Sequence, residues 1–306
     1  VAFGDESPDD LLRDADTAMY RAKERGRDRA EMFDDRLRAQ AVRRHSVEQE
    51  VRAALEDGRV EVHFQPVVRV ADGMVVGAEA LARIRGEAGD LLHPAQFIDI
   101  AEDSGLIAEL GGRVLDLSLE RLAAWEATTG RRLTMAVNVS ARQLADPAFP
   151  EVVRNALVAN ELEADQVALE FTESALIAAN PVTERVLGDL TDLGVQIGLD
   201  DFGTGFSSLA YLKRLPIDFL KIDRSFVAGL DSDDDDTAIV TGTVALAHSL
   251  GLQVVAEGVE TEAQLRRLQR LQCDLAQGFH FSEPVTDAEF DRFLERGWTP
   301  APLSVN

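Results

Sequence analysis

The chain has 306 residues, of which 45% are hydrophobic and 28% are charged, and its formal net charge is −24. This composition is that of a globular protein with enough apolar residues for a sizeable core. No run of about 18 apolar residues occurs, which argues against a membrane-spanning helix within these limits. The acidic balance argues against binding to a nucleic-acid polymer, because such binding needs a clustered excess of Lys and Arg.

Two further features bear on the cellular setting. The sequence begins at Val1 without a Met or a signal-peptide pattern, and we therefore expect a piece of a longer chain. Cys273 is the one cysteine, so no internal disulfide can form, which fits a reducing compartment. We expect a cytoplasmic location, and a parent protein that upstream regions could anchor to a membrane.

The predicted elements change in character near residue 58. Apolar residues recur at helical spacing from Leu11 to Ala22, and a second helical stretch covers residues 36–56. Two apolar strands, at residues 60–70 and 74–82, then flank a hairpin-type turn at Asp72-Gly73. A long helical region at residues 94–127 follows. Further strands are predicted at residues 133–139, 166–171, 195–199, 219–222, 254–256 and 274–276. Further helices are predicted at residues 150–160, 181–193, 207–214, 234–250, 261–271 and 287–296.

Eight strands that alternate with helices are typical of a (β/α)₈ barrel. A doubly wound open sheet is the alternative, but the sequence lacks the glycine-rich phosphate turn that usually follows its first strand. The opening hairpin departs from strict alternation, which indicates that one strand is antiparallel. We therefore predict an α/β protein, a modified (β/α)₈ TIM barrel with one antiparallel strand and an N-terminal helical segment.

Polar residues occur where the predicted strands end. They are Glu79, Asn138, Glu170, the pair Asp200 and Asp201, Lys221, Glu257 and Gln277. The C-terminal ends of barrel strands converge on one face, where active sites are built. A single acid at such a position is most often a helix N-cap. Because acids or amides recur on so many strands, we favour the interpretation that they form a site.

The predicted rim would gather five carboxylates, which would repel one another strongly without a cation. Oxygen ligands suit hard divalent ions such as Mg²⁺ or Mn²⁺, and the scarcity of Cys and His argues against zinc. The adjacent Asp200 and Asp201 could bridge two metals or divide between them. Two ions about 4 Å apart form the usual clamp for in-line displacement at phosphorus.

Short motifs recur in order along the predicted barrel. They are Phe64-Gln65-Pro66-Val67-Val68, Glu79-Ala80-Leu81-Ala82-Arg83, Asn138-Val139-Ser140, Leu169-Glu170-Phe171-Thr172-Glu173-Ser174, Asp200-Asp201-Phe202-Gly203-Thr204-Gly205, Lys221-Ile222-Asp223, Ala256-Glu257-Gly258-Val259-Glu260-Thr261 and Gln277-Gly278-Phe279. Over roughly residues 47–293, the chain resembles the EAL domain, the cyclic-di-GMP phosphodiesterase family. The resemblance implies hydrolysis of cyclic-di-GMP to linear 5′-pGpG by in-line attack of metal-activated water, and hence control of the level of this second messenger.

The resemblance also implies the metal ligands. It assigns to a first ion Glu79, Asn138, Glu170 and Asp200. It assigns to a second ion Asp200 as the bridging ligand, Asp201 and Glu257. We therefore expect two ions, Mg²⁺ or Mn²⁺.

Further roles follow from the same resemblance. The residues that it implies for catalysis are Lys221, Glu257 and Glu173. Lys221 matches the lysine that contacts the attacking water, as a general base or an electrostatic anchor. We favour the anchor, since a lysine among carboxylates stays charged. Glu173 matches the glutamate that steadies the loop at residues 203–208. The residues that it implies for substrate binding are Gln65, Asp223, Gln277 and Arg83, the last as a bidentate phosphate ligand.

Residues 11–29 resemble the last helix of a diguanylate cyclase (GGDEF) domain, although the chain contains no Gly-Gly-Asp-Glu-Phe sequence. We therefore expect a GGDEF remnant at residues 1–34, a helical linker at 35–57, an EAL barrel at 58–298 and a tail at 299–306. The parent protein is expected to carry an upstream GGDEF domain, and the family resemblance implies that barrels pair as a homodimer.

Two other functions remain open at this point. One is a catalytically silent receptor that binds cyclic-di-GMP, although such relatives typically lack a metal ligand and this chain has every matched one. The other is a related barrel that acts on a different phosphodiester.

Overall fold

The structure of the protein is a computed structural model. It describes residues 35–296, apart from residues 174, 176–179, 204–211, 213–214 and 231. The predicted GGDEF remnant at 1–34, the tail at 299–306, and most of the loop at 203–208 and of the helix at 207–214 lie outside the described residues. None of the described helices combines the length and the apolar composition that are needed to cross a bilayer.

Nine strands are found among the described residues. They are β1 (Val60–Arg69), β2 (Val75–Arg85), β3 (Leu91–Leu92), β4 (Thr134–Asn138), β5 (Val167–Thr172), β6 (Gln196–Phe202), β7 (Phe219–Ile222), β8 (Gln253–Ala256) and β9 (Leu275–Ala276). They form one sheet in the order β1-β9-β8-β7-β6-β5-β4-β2-β3, and a further pairing of β1 with β2 closes eight of them into a barrel. The predicted modified (β/α)₈ barrel is confirmed.

Strand β1 is the antiparallel member of the barrel, as predicted. It pairs antiparallel with both β2 and β9, whereas the pairs from β2–β4 through β8–β9 are parallel. The short strand β3, which the sequence pattern did not predict, pairs antiparallel with the end of β2. Strand β2 reaches Arg85, beyond its predicted end at residue 82, because it continues past the barrel to pair with β3 and the start of β1.

The described helices surround this barrel. They are α1 (Asp35–Asp57), α2 (Pro94–Ser104), α3 (Ile107–Thr129), α4 (Ala141–Leu144), α5 (Phe149–Ala159), α6 (Pro181–Leu193), α7 (Arg224–Ala228), α8 (Asp234–Ser249), α9 (Glu262–Arg270) and α10 (Asp287–Arg296). The prediction of one long helical region at 94–127 was wrong, because Gly105 adopts a left-handed conformation (φ 81°) and ends α2. The short helices α4 and α7 were not predicted.

Strand composition accounts for where the core lies. In β5, every residue from Val167 to Phe171 is buried, as expected for a parallel strand that is covered on both sides.

Among the described helices, α1 and α10 also bury apolar side chains. Val51 and Ala54 of α1 have no exposed surface, and the ring of Phe290 in α10 stacks on Trp125 of α3 at 4.4 Å between centroids. These contacts pack the helices against the barrel. The site lies at the end of the barrel where the parallel strands have their C-terminal ends.

Candidate active site

The predicted acids and amides converge at one end of the barrel, but not all of them end their strands. Asn138 is the last residue of β4, and Glu257 and Gln277 directly follow β8 and β9. Glu79, in contrast, lies in the middle of β2, so the expectation that it closes that strand was wrong. It nevertheless reaches the rim, because the part of β2 beyond it extends past the barrel.

Strand β6 presents two adjacent aspartates at the rim, although neighbouring residues of a regular strand point to opposite faces. In the pairing with β7, Leu199 is opposite Leu220 and Phe202 is opposite Ile222. Strand β6 therefore has one residue more than β7 between these two pairs, which is a β-bulge. Asp201 has a left-handed backbone (φ 56°), uncommon outside glycine, and its N–H donates to Asp200 Oδ1 at 2.8 Å. The bulge therefore lets both carboxylates serve one site.

Lys221 lies at the centre of this acidic cluster, with 1% of its side chain exposed. Its Nζ is 2.7 Å from Glu170 Oε2 and 2.7 Å from Glu257 Oε1. It is also 3.5 Å from Glu79 Oε2 and 3.5 Å from Asp200 Oδ1. A single buried ammonium thus offsets part of the charge of four carboxylates.

The pKa values of these groups follow from burial and from their mutual charges. Burial alone would lower the pKa of Lys221, but the carboxylates, led by Glu170 and Glu79, raise it well above its usual value. Burial raises the pKa of Glu170 well above its usual value and that of Glu257 to about 7, although Lys221 acts in the opposite direction. Burial, followed by the charge of Asp200, raises the pKa of Asp201.

Glu79 behaves differently, because amides hydrogen-bond to its carboxylate. Asn138 Nδ2 donates to Oε1 at 2.6 Å, and Gln277 Nε2 donates to Oε2 at 2.5 Å. Burial would raise the pKa of Glu79, but the charge of Lys221 and these two hydrogen bonds outweigh it and hold the pKa below its usual value. The ionised form of Glu79 is therefore favoured, and its carboxylate is a tightly oriented acceptor.

The arrangement of oxygen atoms fits a hard divalent cation. Asp200, Asp201 and Glu257 each offer a carboxylate oxygen, and these three atoms lie within 4.8 Å of one another. Carboxylate oxygens are the ligands that Mg²⁺ and Mn²⁺ prefer. Four carboxylates surround the single ammonium of Lys221, so the cluster has more negative charge than Lys221 alone compensates. The acidic cluster can therefore bind a metal ion.

A cleft of about 860 Å³ opens beside the rim and is large enough for a small organic ligand. Glu79, Asn138, Glu170 and Asp201 line its polar end. Apolar side chains of the helices α2 and α3 also line the cleft. They include Pro94, Ile98, Ile107, Leu110 and Val114. The acidic cluster therefore faces a cavity that can admit a substrate.

Three other predicted site residues have different surroundings. Arg83 lies four residues after Glu79 in β2, with 5% exposure, and its Nη1 donates to the Ala82 carbonyl at 2.8 Å. Asp223 caps the start of α7, where Oδ1 accepts from Ser225 N at 3.0 Å. Glu173 is buried, and neither of its carboxylate oxygens has a hydrogen-bond partner among the described residues.

Gln65 and Gln277, which were predicted to contact a substrate, are both buried and contact each other. Gln277 Nε2 donates to Gln65 Oε1 at 2.8 Å, in addition to its bond to Glu79. The sequence pattern did not indicate this connection, because the side chains meet only through the antiparallel pairing of β1.

Comparison with known proteins places these features in a family. The family model of the EAL domain matches residues 48–284. The chain is 42% identical over 276 residues to the bifunctional diguanylate cyclase/cyclic di-GMP phosphodiesterase MucR of Pseudomonas aeruginosa, covering 90% of this chain and 40% of that protein. It is 41% identical over 289 residues to the cyclic di-GMP phosphodiesterase NbdA of the same organism, covering 94% of this chain and 37% of the relative.

Solved structures agree with this assignment. The structure of the PaMucR phosphodiesterase in a c-di-GMP complex superimposes with a TM-score of 0.76 at 42% identity, and the match covers 80% of this chain and 99% of that one. The EAL domain of Mycobacterium smegmatis DcpA gives a TM-score of 0.67 at 38% identity, covering 79% and 99%. The chain spans about two fifths of the length of the curated relatives named above. With a family match over most of its length, the chain belongs to the EAL domain family.

Proposed function

We propose that this protein is a cyclic-di-GMP phosphodiesterase that hydrolyses its substrate to linear 5′-pGpG and so controls the level of this second messenger. The observation that carries the proposal is the rim itself, where Lys221 Nζ lies 2.7 Å from both Glu170 and Glu257 beside the cleft. Two curated relatives, MucR and NbdA, carry this activity in their names.

In the proposed reaction, water adds across one phosphodiester of the ring. A bond forms between the water oxygen and phosphorus, the bond from phosphorus to the sugar 3′-oxygen breaks, and that oxygen takes up a proton. Members of the EAL family depend on a metal, and we propose Mg²⁺ or Mn²⁺, two ions for each site. When bound, such ions neutralise phosphate charge and lower the pKa of a bound water.

The protein's own residues hold and orient the reactants. We propose as ligands of the first ion Glu79, Asn138, Glu170 and Asp200, and as ligands of the second ion Asp200, Asp201 and Glu257. Lys221 Nζ lies 2.7 Å from both Glu170 and Glu257, and the surrounding carboxylates raise the pKa of Lys221, which favours its charged form. Lys221 therefore acts as a fixed positive charge that orients the attacking water and the carboxylates around it.

Residues beside the metal ligands complete the proposed site. Arg83 would bind a substrate phosphate, since its planar guanidinium can form two parallel hydrogen bonds. Its Nε is buried and has no hydrogen-bond partner among the described residues. Glu173 would steady the loop at residues 203–208, and Asp223 would contact the substrate from the end of β7. Each of these roles is testable by conservative replacement.

The direct test is incubation of the protein with cyclic-di-GMP and Mg²⁺, followed by chromatographic separation of the nucleotides. We expect linear pGpG to accumulate and EDTA to abolish its formation. Glu79→Gln serves as the matched inactive variant, because it changes one ligand and keeps the shape of the side chain. Tight binding of cyclic-di-GMP without any product in Mg²⁺ would instead identify a silent receptor, and preference for another dinucleotide would identify a different phosphodiesterase.

We also propose that the domain is part of a longer signalling protein with an upstream GGDEF domain and that it pairs as a homodimer. The name of MucR, a bifunctional cyclase and phosphodiesterase of which this chain covers two fifths, supports the first point. Light scattering coupled to size-exclusion chromatography tests the second, and a mass of one chain at micromolar concentration would contradict it.

A further inference from the structure

The reversed direction of β1 brings two glutamines to the metal rim. In the antiparallel β1–β2 pair, Gln65 is directly opposite Glu79. On its other side, β1 pairs antiparallel with β9, and Gln277 directly follows β9. The two glutamines are therefore supplied by neighbouring strands, and Glu79 lies within reach of both.

The hydrogen bonds around Gln277 determine how its amide is oriented. Its Nε2 donates to Glu79 Oε2 at 2.5 Å and to Gln65 Oε1 at 2.8 Å. The opposite orientation is excluded, because a carboxylate can only accept and would face the amide oxygen. An amide nitrogen has two hydrogens, so both donors of Gln277 are in use. No donor of Gln277 remains for a substrate phosphate.

Gln65 is held by a further acceptor at the end of the same chain of bonds. Its Nε2 donates to the carbonyl oxygen of Ser282 at 3.0 Å, which leaves its Oε1 to accept from Gln277. Gln65 is 7% exposed and Gln277 is 5% exposed, so water competes little for these bonds. The chain therefore runs from a main-chain carbonyl through two amides to the carboxylate of Glu79.

The backbone of Gln277 is fixed as firmly as its side chain. Its N–H donates to Ala256 O at 2.9 Å, and its carbonyl accepts from Val259 N at 3.0 Å. Gly278 follows with φ +154°, and a Cβ there would lie 2.2 Å from the backbone N and O of Val259. The backbone of Gln277 is thus held against the loop that carries Glu257.

We infer that Gln277, supported by Gln65, is a positioning residue that fixes the carboxylate of Glu79 as a metal ligand, and that its amide nitrogen does not donate to a substrate phosphate. This inference rests on the metal site of the proposed function and replaces the substrate-contact role predicted for Gln277. Hydrogen-bond partners of metal ligands typically contribute 10- to 100-fold to metal affinity. The effect of removing Gln277 should therefore appear in metal binding before any nucleotide is added.

The test uses Gln277→Met and Gln65→Met, which keep the length of the side chain and remove the amide. Binding of Mn²⁺ to the substrate-free protein is measured by calorimetry or by the loss of the free-ion electron paramagnetic resonance signal. We expect the dissociation constant of Mn²⁺ to rise about 10- to 100-fold in Gln277→Met and by a smaller factor in Gln65→Met. Because Gln65 acts through Gln277, the double variant should be no worse than Gln277→Met alone.

The substrate kinetics separate positioning from direct contact. At saturating Mn²⁺, we expect the KM for cyclic-di-GMP to stay within about twofold of the wild-type value, since the ligand is then restored by mass action. An Mn²⁺ dissociation constant within twofold of wild type, together with a tenfold higher KM, would overturn the inference and restore the substrate-contact role. Gln253→Met, an exposed glutamine at the opposite end of the barrel, is the matched control and should change neither quantity.

The Mn²⁺ measurement needs no turnover, so this inference and the proposed function can fail independently. If the wild-type protein binds Mn²⁺ and the glutamine variants bind it more weakly, the inference holds even when cyclic-di-GMP is not hydrolysed. If Gln277→Met does not fold, as judged by circular dichroism, Gln65→Met carries the same test. An unchanged Mn²⁺ affinity in Gln65→Met would contradict the inference that Gln65 supports Gln277 in orienting Glu79.

Discussion

The ammonium of Lys221 lies 2.7 Å from the carboxylate of Glu170, and both side chains are almost completely buried. The ammonium of Lys221 has no bulk water to stabilise it, so it depends on the carboxylates around it. The pair is therefore a structural element of the metal-free protein as well as a part of the proposed site.

The first prediction is that Lys221→Met destabilises the metal-free protein. Removing one partner of a buried ion pair leaves the other charge uncompensated, which typically costs about 3–5 kcal/mol of unfolding free energy. Urea unfolding in EDTA measures the loss, and Mg²⁺ should recover part of it, because a bound cation replaces the missing positive charge. Arg154→Met, at an exposed ion pair on α5, is the matched control with an expected change below about 1 kcal/mol. A loss for Lys221→Met as small as that of the control would contradict the prediction.

The second prediction concerns the bulge in β6. Asp201→Asn removes one metal-facing charge but keeps a residue type that tolerates a left-handed backbone. We expect the melting temperature in EDTA to be unchanged or higher, since repulsion with Asp200 is relieved. The affinity for Mn²⁺ should fall, because the cluster loses one of its three closely spaced carboxylates. Asp116→Asn, at an exposed position on α3, should leave Mn²⁺ binding as it is, and equal affinities in the two variants would refute a role for Asp201.

The sequence allowed most of the barrel to be predicted because parallel strands that are buried on both sides leave continuous apolar runs. Strand β5, from Val167 to Thr172, is such a run, and the predicted strand differs from it by one residue at each end. The rim residues could be predicted for the same reason, since a polar group after an apolar run lies at the end of a buried strand. This rule does not hold for Glu79, because its strand continues past the rim. Its position within β2 became clear only from the pairing of β2 with β1.

The details that the sequence did not disclose depend on contacts between distant segments. The hydrogen bond from Gln277 to Glu79 joins residues that are 198 positions apart, and it exists because β1 separates β2 from β9. The bulge at Asp200 and Asp201 depends on the register of β6 against β7, which no local pattern encodes. Gly105 did carry a local signal for the end of α2, but the apolar periodicity continues beyond it and favoured a single helix.

The third prediction is that Cys273 does not react with thiol reagents while the protein is folded. Burial raises the pKa of its thiol to about 12, so almost none of the reactive thiolate exists at pH 8. The side chain is 4% exposed, and its Sγ lies 3.4 Å from the carbonyl oxygen of Leu275. We expect labelling by iodoacetamide at pH 8 to proceed only after unfolding in urea. Ala108→Cys, which adds an exposed thiol on α3, should give one rapidly labelled site, and rapid labelling of the unaltered protein would contradict the prediction.

The fourth prediction concerns the packing inside the barrel between β6 and β7. Gly198 and Phe219 are directly paired, and a Cβ on Gly198 would lie 2.2 Å from Phe219 Cζ. Gly198→Ala should therefore lower the unfolding free energy by about 1–3 kcal/mol through overpacking. Gly188→Ala is the matched control, because its Cβ would meet nothing within 4 Å on the exposed face of α6, and alanine there should stabilise the helix by about 0.5–1 kcal/mol. Phe219→Leu in the Gly198→Ala background should recover part of the loss, and strictly additive effects in this double-mutant cycle would refute the steric explanation.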